Sequence, residues 1–384
     1  MKKKINLIIF ISFILGILFG LLLPSFMDNI SFIGSLYINI LKFLIVPILF
    51  LSISLSIYKN SKNKNKNLIK IILLFILMFI STFLIVSLLL LIINPNLNIS
   101  FDNINYEGEL AKVTFISFIE NIFPSNPLDI ISKINVFAII IISAIFGFSA
   151  SKVKNGNKVM DIIDSLNNIL NKIIEYVMYL TPLGVFSLIG SSISNYGFDI
   201  IKSTLIYIFL AYIFSILIVI LMIIILSKKI KPIEYIKKII KVWLVSLSTC
   251  SSVATLPYTL KLCKEDLNLN KETTDIVVPL GTTLNKVGGA ISFAILSIFT
   301  IQLYGIELNI SLYLSMILVS LILNMAAVGI PSGGIVLGAT YLSMLGIPLN
   351  FIGIYSGIYR ILDMAYTTLN VTGNINATIF LNKK

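Results

Sequence analysis

The sequence predicts an all-α polytopic membrane protein, and three observations carry that expectation. Of 384 residues, 57 % are apolar and 12 % charged, a proportion with which a water-soluble globule could not cover its own surface with polar groups. The apolar residues fall in blocks of roughly 20 or more, the length that crosses a hydrocarbon core. Between the blocks the polar knots alternate in sign. Lysines gather at Lys2 to Lys4, Lys59 to Lys70, Lys152 to Lys158, Lys228 to Lys241 and Lys261 to Lys271, and acids at Asp28, at Asp102, Glu107, Glu109 and Glu120, at Asp199 and at Glu307. Such alternation marks successive loops under the positive-inside rule, so the net charge of +12 reports topology and not affinity for nucleic acid. It places both termini on the cytoplasmic side of a cell membrane. The strict alternation of a membrane barrel is absent. With no histidine and only Cys250 and Cys263, histidine triads, Cys/His zinc sites and disulfide scaffolds are set aside. No nucleophile with a neighbouring base stands out, so an enzyme is not expected.

Taken in order, the first span runs from about 5 to 26 and is retained, since no small-residue cleavage site follows Leu23-Pro24. The second runs from about 30 to 57, and the third, 68–93, stops at Asn94-Pro95. Residues 94 to 122 form a polar outer segment, a block from about 133 to 150 returns, and two more spans fill about 165 to 195 and 202 to 227. The remainder differs in kind. Its apolar runs are interrupted at Ser246 to Pro257 (SLSTCSSVATLP), Pro279 to Gly289 (PLGTTLNKVGG) and Gly329 to Gly334 (GIPSGG). Non-helical backbone at membrane depth persists only where protein buries it or where it lines a polar cavity. Two of these breaks, flanked by half-span arms, read as re-entrant hairpins whose free N–H and C=O groups suit carboxylates and cations. Close helix packing through small residues is the other reading of the same stretches.

The last span places Asp363, Tyr366, Asn370 and Asn374 at spacings of 3, 4 and 4, within a stripe of about 80° on one helix face. An intramembrane carboxylate is functional by default. The alternative partner is Arg360, three residues earlier and the chain's single arginine.

These motifs resemble the glutamate transporter family, the dicarboxylate/amino acid:cation symporters. The resemblance runs in order through Ser246 to Pro257, Pro279 to Gly289, Gly329 to Pro331 and Arg360 to Gly373, with ILDM followed by NVTG as its most specific part. It implies eight transmembrane helices plus two re-entrant hairpins, arranged as a trimerising scaffold and an elevator-type transport domain. Residues 1–67 would supply scaffold helices 1 and 2, 68–93 transport helix 3, and 94–200 the outer loop with scaffold helices 4 and 5. Residues 201–384 would hold helix 6, hairpin 1 at about 235–262, helix 7 at about 272–302, hairpin 2 at about 308–343 and helix 8 at about 348–381.

By the same resemblance Asp363 receives an α-amino group, Asn370 donates to the α-carboxylate, Ser251 and Ser252 offer hairpin amides, and Gly329, Ile330 and Pro331 close over the ligand. Tyr366 stands where members that carry acidic amino acids place an arginine, and Gly289 where they place a threonine. A desolvated side-chain carboxylate without its guanidinium would cost several kcal/mol, so a neutral amino acid is the expected substrate. An acidic amino acid or dicarboxylate is the alternative, and a non-transporting binding protein or anion channel on the same scaffold is the alternative of another class.

The coupling ion is Na+ or H+, with no other cofactor expected. The family's Asn-Met-Asp-Gly-Thr reads Asn285, Lys286, Val287, Gly288, Gly289, and a second aspartate is replaced by Asn374. Counting back from Asn94-Pro95, the oxygen ligands of helix 3 become Phe75, Met78 and Phe79. The candidate coupling residues are Gly281, Asn285, Lys286, Asn370 and Asn374, of which Asn285, Asn370 and Asn374 would form at most a weak sodium site. Lys286 offers an ammonium in place of a sodium and, as a buried lysine, a proton-binding group; a snorkelling or permanently paired Lys286 is the plainer reading.

Overall fold

The computed structural model describes residues 2–62, 68–94, 136–196, 199–326 and 333–382, and the described residues are helices and their connections. In chain order the helices are α1 (Lys2–Leu22), α2 (Pro24–Asn29), α3 (Ser31–Lys62), α4 (Leu68–Ile93), α5 (Val136–Lys152), α6 (Gly156–Tyr196), α7 (Asp199–Leu226), α8 (Pro232–Thr249) and α9 (Ser252–Lys261). There follow α10 (Lys271–Leu284), α11 (Val287–Leu303), α12 (Ile310–Ala326), α13 (Gly333–Met344) and α14 (Asn350–Leu381).

Proline sets several of these boundaries. Pro24 and Pro232 open α2 and α8 at their first positions, where a missing N–H leaves no bond unmade. The first expected span is thereby cut short at Leu22, because Pro24 cannot continue α1. The 68–93 span is found as expected, whereas α6 begins nine residues before the expected 165. Among the described residues, Ile69–Ile93, Ile201–Leu226 and Lys271–Leu303 are helical stretches long and apolar enough to cross a membrane. The expected outer segment at 94–122, Asn94 excepted, lies outside the described residues, as do Gly329, Ile330 and Pro331.

The chain divides into two compact units. The first comprises Met1–Asn65, Leu97–Thr204 and Thr300–Ile358, the second Lys66–Asn96, Leu205–Phe299 and Tyr359–Lys384. α12 and α13 group with the first unit.

In the first unit α1, α2 and α3 pack on α6, α5 packs on α3 and α6, and α12 and α13 lie against α3. Hydroxyls add side-chain bonds between these apolar helices. Ser187 Oγ donates to Ile30 O at 2.8 Å and accepts from Gly34 N–H at 3.1 Å, tying α6 to the turn between α2 and α3. Tyr37 and Thr181 share a hydrogen bond of 3.1 Å, and Ser54 Oγ donates to Ser143 O at 3.2 Å.

In the second unit the core is formed by Leu226, Tyr235, Ile239, Val242, Val278, Val371 and Ile375. Ile71, Phe75, Val277, Leu284 and Ala377 make a second cluster that seats α4 against α10. Lys229 Nζ donates to the carbonyls of Ile379 (3.2 Å) and Phe380 (2.8 Å), a cation where the end of α14 presents its unpaired C=O groups.

Ser187→Ala removes both bonds at the α2–α3 turn and should lower stability by about 1–2 kcal/mol. Ser191→Ala, whose hydroxyl reaches its own helix at Leu188 O, should have a smaller effect; thermal unfolding of the purified protein compares the two.

Candidate functional site

The α8–α9 hairpin is fixed to α14 by a ladder of side chains. Tyr235 donates its hydroxyl to Asn376 Oδ1, Trp243 Nε1 donates to Thr372 Oγ1 at 2.9 Å, and Ser246 shares a 2.9 Å bond with Thr368. As the α8 number rises the α14 number falls, so the two helices run antiparallel. The next turn of α8 ends at Cys250, which brings the hairpin tip to the level of Met364 and its neighbour Asp363.

At the tip the chain reverses without a glycine. Cys250 takes φ 48° and ψ 40° and its N–H bonds to Ser246 O at 2.9 Å, closing α8 with a left-handed residue. Its thiol is buried and reaches Leu247 O at 3.5 Å. Ser251 caps α9, its Oγ accepting from Ala254 N–H at 3.2 Å. The N–H groups of Ser252 and Val253 are first-turn donors with no helical carbonyl four residues back.

The second break separates α10 from α11 at Asn285 and Lys286. Asn285 is extended, φ −86° and ψ 103°, and its N–H bonds to Gly281 O at 2.9 Å. The break lies directly on α14. A Cβ on Gly288 would fall 2.1 Å from Tyr366 O and 2.6 Å from its C and Cα, so only glycine allows this backbone contact. The approach lets Gly288 N–H donate to Asn370 Oδ1 at 2.8 Å. That bond fixes the Asn370 carboxamide with its oxygen occupied and its NH2 left as the donor. One turn on, a Cβ on Gly281 would meet the Asn374 carboxamide at 2.5 Å and Phe75 Cζ at 3.1 Å.

The structure therefore brings together Gly281, Asn285, Lys286, Gly289, Asn370 and Asn374 at the α10–α11 break, and carries Asp363 and Tyr366 on the same helix as their partners. Asp363 is half-buried and accepts from Thr367 Oγ1 at 2.9 Å. Tyr366 is 3 % exposed. Lys286 is 9 % exposed, and its Nζ donates to Thr282 O at 3.0 Å instead of reaching water. Lys286 and Asp363 lie within electrostatic range of one another. Val287, in the position of the motif's acid, is fully buried. Phe75 Cζ would lie 3.1 Å from a Cβ on Gly281, and Met78 Cε 3.4 Å from a Cβ on Gly373. Among the described residues no three acidic, cysteine or histidine side chains gather as a metal cluster.

Thr367, Thr282 and Gly288 were not singled out by the sequence reading. Thr367 could have been found by its four-residue spacing from Asp363, and Gly288 by its place in a glycine pair. Thr282 acts through its backbone, which leaves no signal in residue type.

Among the described residues, helices interrupted at a buried polar site are the arrangement in which secondary transporters bind their substrates. The model of the sodium:dicarboxylate symporter family matches residues 5–384, and the chain belongs to that family. It is similar to the C4-dicarboxylate transport protein of Bacillus subtilis, 27 % identical over 395 residues that cover 99 % of this chain and 93 % of the relative. It is also similar to the proton/glutamate-aspartate symporter of the same organism, 27 % identical with 100 % and 95 % covered. The proton/sodium-glutamate symport protein of Geobacillus stearothermophilus is 28 % identical with 99 % and 95 % covered. The neutral substrate expected from Tyr366 runs against these names, which are those of carriers of acidic substrates.

Gly288→Ala should disrupt the contact with Tyr366 and lower the midpoint of thermal unfolding by several degrees, because the clashing atoms are backbone and cannot rotate away.

Proposed function

We propose that this protein is a cation-coupled symporter of an acidic amino acid, and that the site on α14 reads the amino-acid headgroup. The observation that carries this reading is the Gly288–Asn370 bond of 2.8 Å. It turns the Asn370 NH2 into a fixed donor two turns from the Asp363 carboxylate, so a carboxylate and an ammonium each have a complementary partner. The first-turn N–H groups of Ser252 and Val253 add donors for the α-carboxylate. Asp363 favours an amino acid over a dicarboxylate without an ammonium, since a substrate carboxylate beside the Asp363 carboxylate would be repelled.

The acidic side chain follows the names of the relatives. Its second carboxylate needs a counter-charge that Tyr366 does not carry, and we assign that role to Lys286, the buried ammonium at the break. Protons and sodium are the coupling ions named for relatives, and a homotrimer moving substrate by an elevator motion of residues 68–93 and 201–384 is the proposed assembly and mechanism.

A thermal-shift screen of the purified protein against the twenty amino acids and C4-dicarboxylates tests the substrate, because a ligand that binds only the native state raises its stability. Aspartate or glutamate should give the largest shift; a larger shift with a neutral amino acid would reject the acidic reading and restore Tyr366 as the determinant.

Asn370→Asp keeps the acceptor for Gly288 N–H but replaces the donor with a negative charge, so the folded protein should bind substrate at least about tenfold more weakly. Lys286→Met should weaken acidic substrates more than neutral ones of similar size, read by the ratio of their dissociation constants.

A further inference from the structure

We infer that the carboxamide of Asn374 permanently fills the cage in which relatives of this family would hold a sodium ion, so that this cage takes no part in coupling. The inference rests on the reading of the chain as a symporter and concerns which ion that symporter does not use.

The geometry of the cage carries it. Asn374 is 1 % exposed and sits between the carbonyls of Gly281 and Asn370. The two ends of an amide are assigned from their surroundings. With Nδ2 toward those carbonyls it donates to Gly281 O at 3.1 Å and Asn370 O at 3.2 Å, while Oδ1 accepts from Thr282 N–H at 3.2 Å; the Nδ2 end also lies 2.9 Å from the Asn285 carboxamide, which in this arrangement turns its oxygen toward it. An N–H donor thus meets each oxygen that a hard cation would need. The side-chain oxygen of Asn370, a further candidate ligand, already accepts from Gly288 N–H with one of its two lone pairs.

The surroundings oppose a cation independently. Asn285 and Asn374 are neutral, Val287 brings an alkyl group, and the Phe75 ring closes on Gly281 from α4. Lys286 Nζ binds Thr282 O, the carbonyl next in sequence after Gly281. A sodium ion would have to displace the amide, give up its water and accept a lysine as neighbour, without a carboxylate in return.

Replacing the amide by a carboxylate reverses the first of these conditions at a single atom. Asn374→Asp removes the N–H donors, faces the Gly281 and Asn370 carbonyls with negative charge, and completes an oxygen cage suited to a small cation.

The test is thermal unfolding of the purified full-length protein without substrate, in NaCl, KCl or choline chloride at equal ionic strength. The wild-type midpoint should agree within about 1 °C among the three salts, and N374D should gain a sodium-specific rise of roughly 4 °C or more. A sodium-specific rise in the wild type would overturn the proposal, and this arm needs no variant to fold. A folded N374D that stays indifferent to sodium would overturn the assignment of Asn374 as the occupant. Because no substrate is added, the salt comparison is separate from the substrate screen. Failure of the screen to find an acidic amino acid counts against the proposed function, and a sodium-specific shift of the wild type counts against the cage.

Discussion

The close approach of Gly288 to the backbone of Tyr366 is the constraint on which the site depends. An interrupted helix at membrane depth leaves N–H and C=O groups with no water to receive them, each of which would be costly unpaired. Here α14 supplies the missing partners. Gly288 N–H finds Asn370 Oδ1 at 2.8 Å, and the Asn285 and Asn374 carboxamides meet at 2.9 Å. None of these bonds forms unless the break lies flat on α14, and a single methyl group at residue 288 would prevent that.

The same helix serves a second structure on another face. Thr368, Thr372 and Asn376 recur every four residues and receive Ser246, Trp243 and Tyr235 of the hairpin. Asn370 and Asn374 are offset by two residues, about 200° around the helix, and receive the break. A helix polar on two opposite faces and buried from Val371 to Ile379 is a poor candidate for an isolated span, but it is stable between two elements that both need hydrogen bonds. The hairpin tip and the helix break are thereby held in register by one rod. Side chains held by such paired networks are ordered well enough to discriminate among ligands.

Charge distribution at the break separates this chain from the pattern its motifs resemble. Where that pattern has acids, this chain has Val287 and Asn374, and it adds a buried ammonium in Lys286. The local sum moves toward the positive, which suits an anionic substrate and works against a second cation. The proposed acidic substrate and the proposed closure of the sodium cage are thus two consequences of one redistribution of charge.

Much of this was legible without coordinates. Hydrophobic length placed α4 at 68–93, and the polar interruptions at Ser246 to Pro257 and Pro279 to Gly289 are where the helices break, because glycine, proline and unpaired polar groups act locally. The spacing of Asp363, Tyr366, Asn370 and Asn374 likewise gave their common face, since helical periodicity is a local property. Tertiary structure alone decided what that face meets. That Asn370 receives Gly288, that Asn374 lies among carbonyls, and that Lys286 turns back to Thr282 depend on backbone groups, which are the same for every residue type. The grouping of α12 and α13 with the first unit depends in the same way on packing between distant segments. A sequence specifies which side chains are polar; only the fold determines which carbonyl or amide each of them must satisfy.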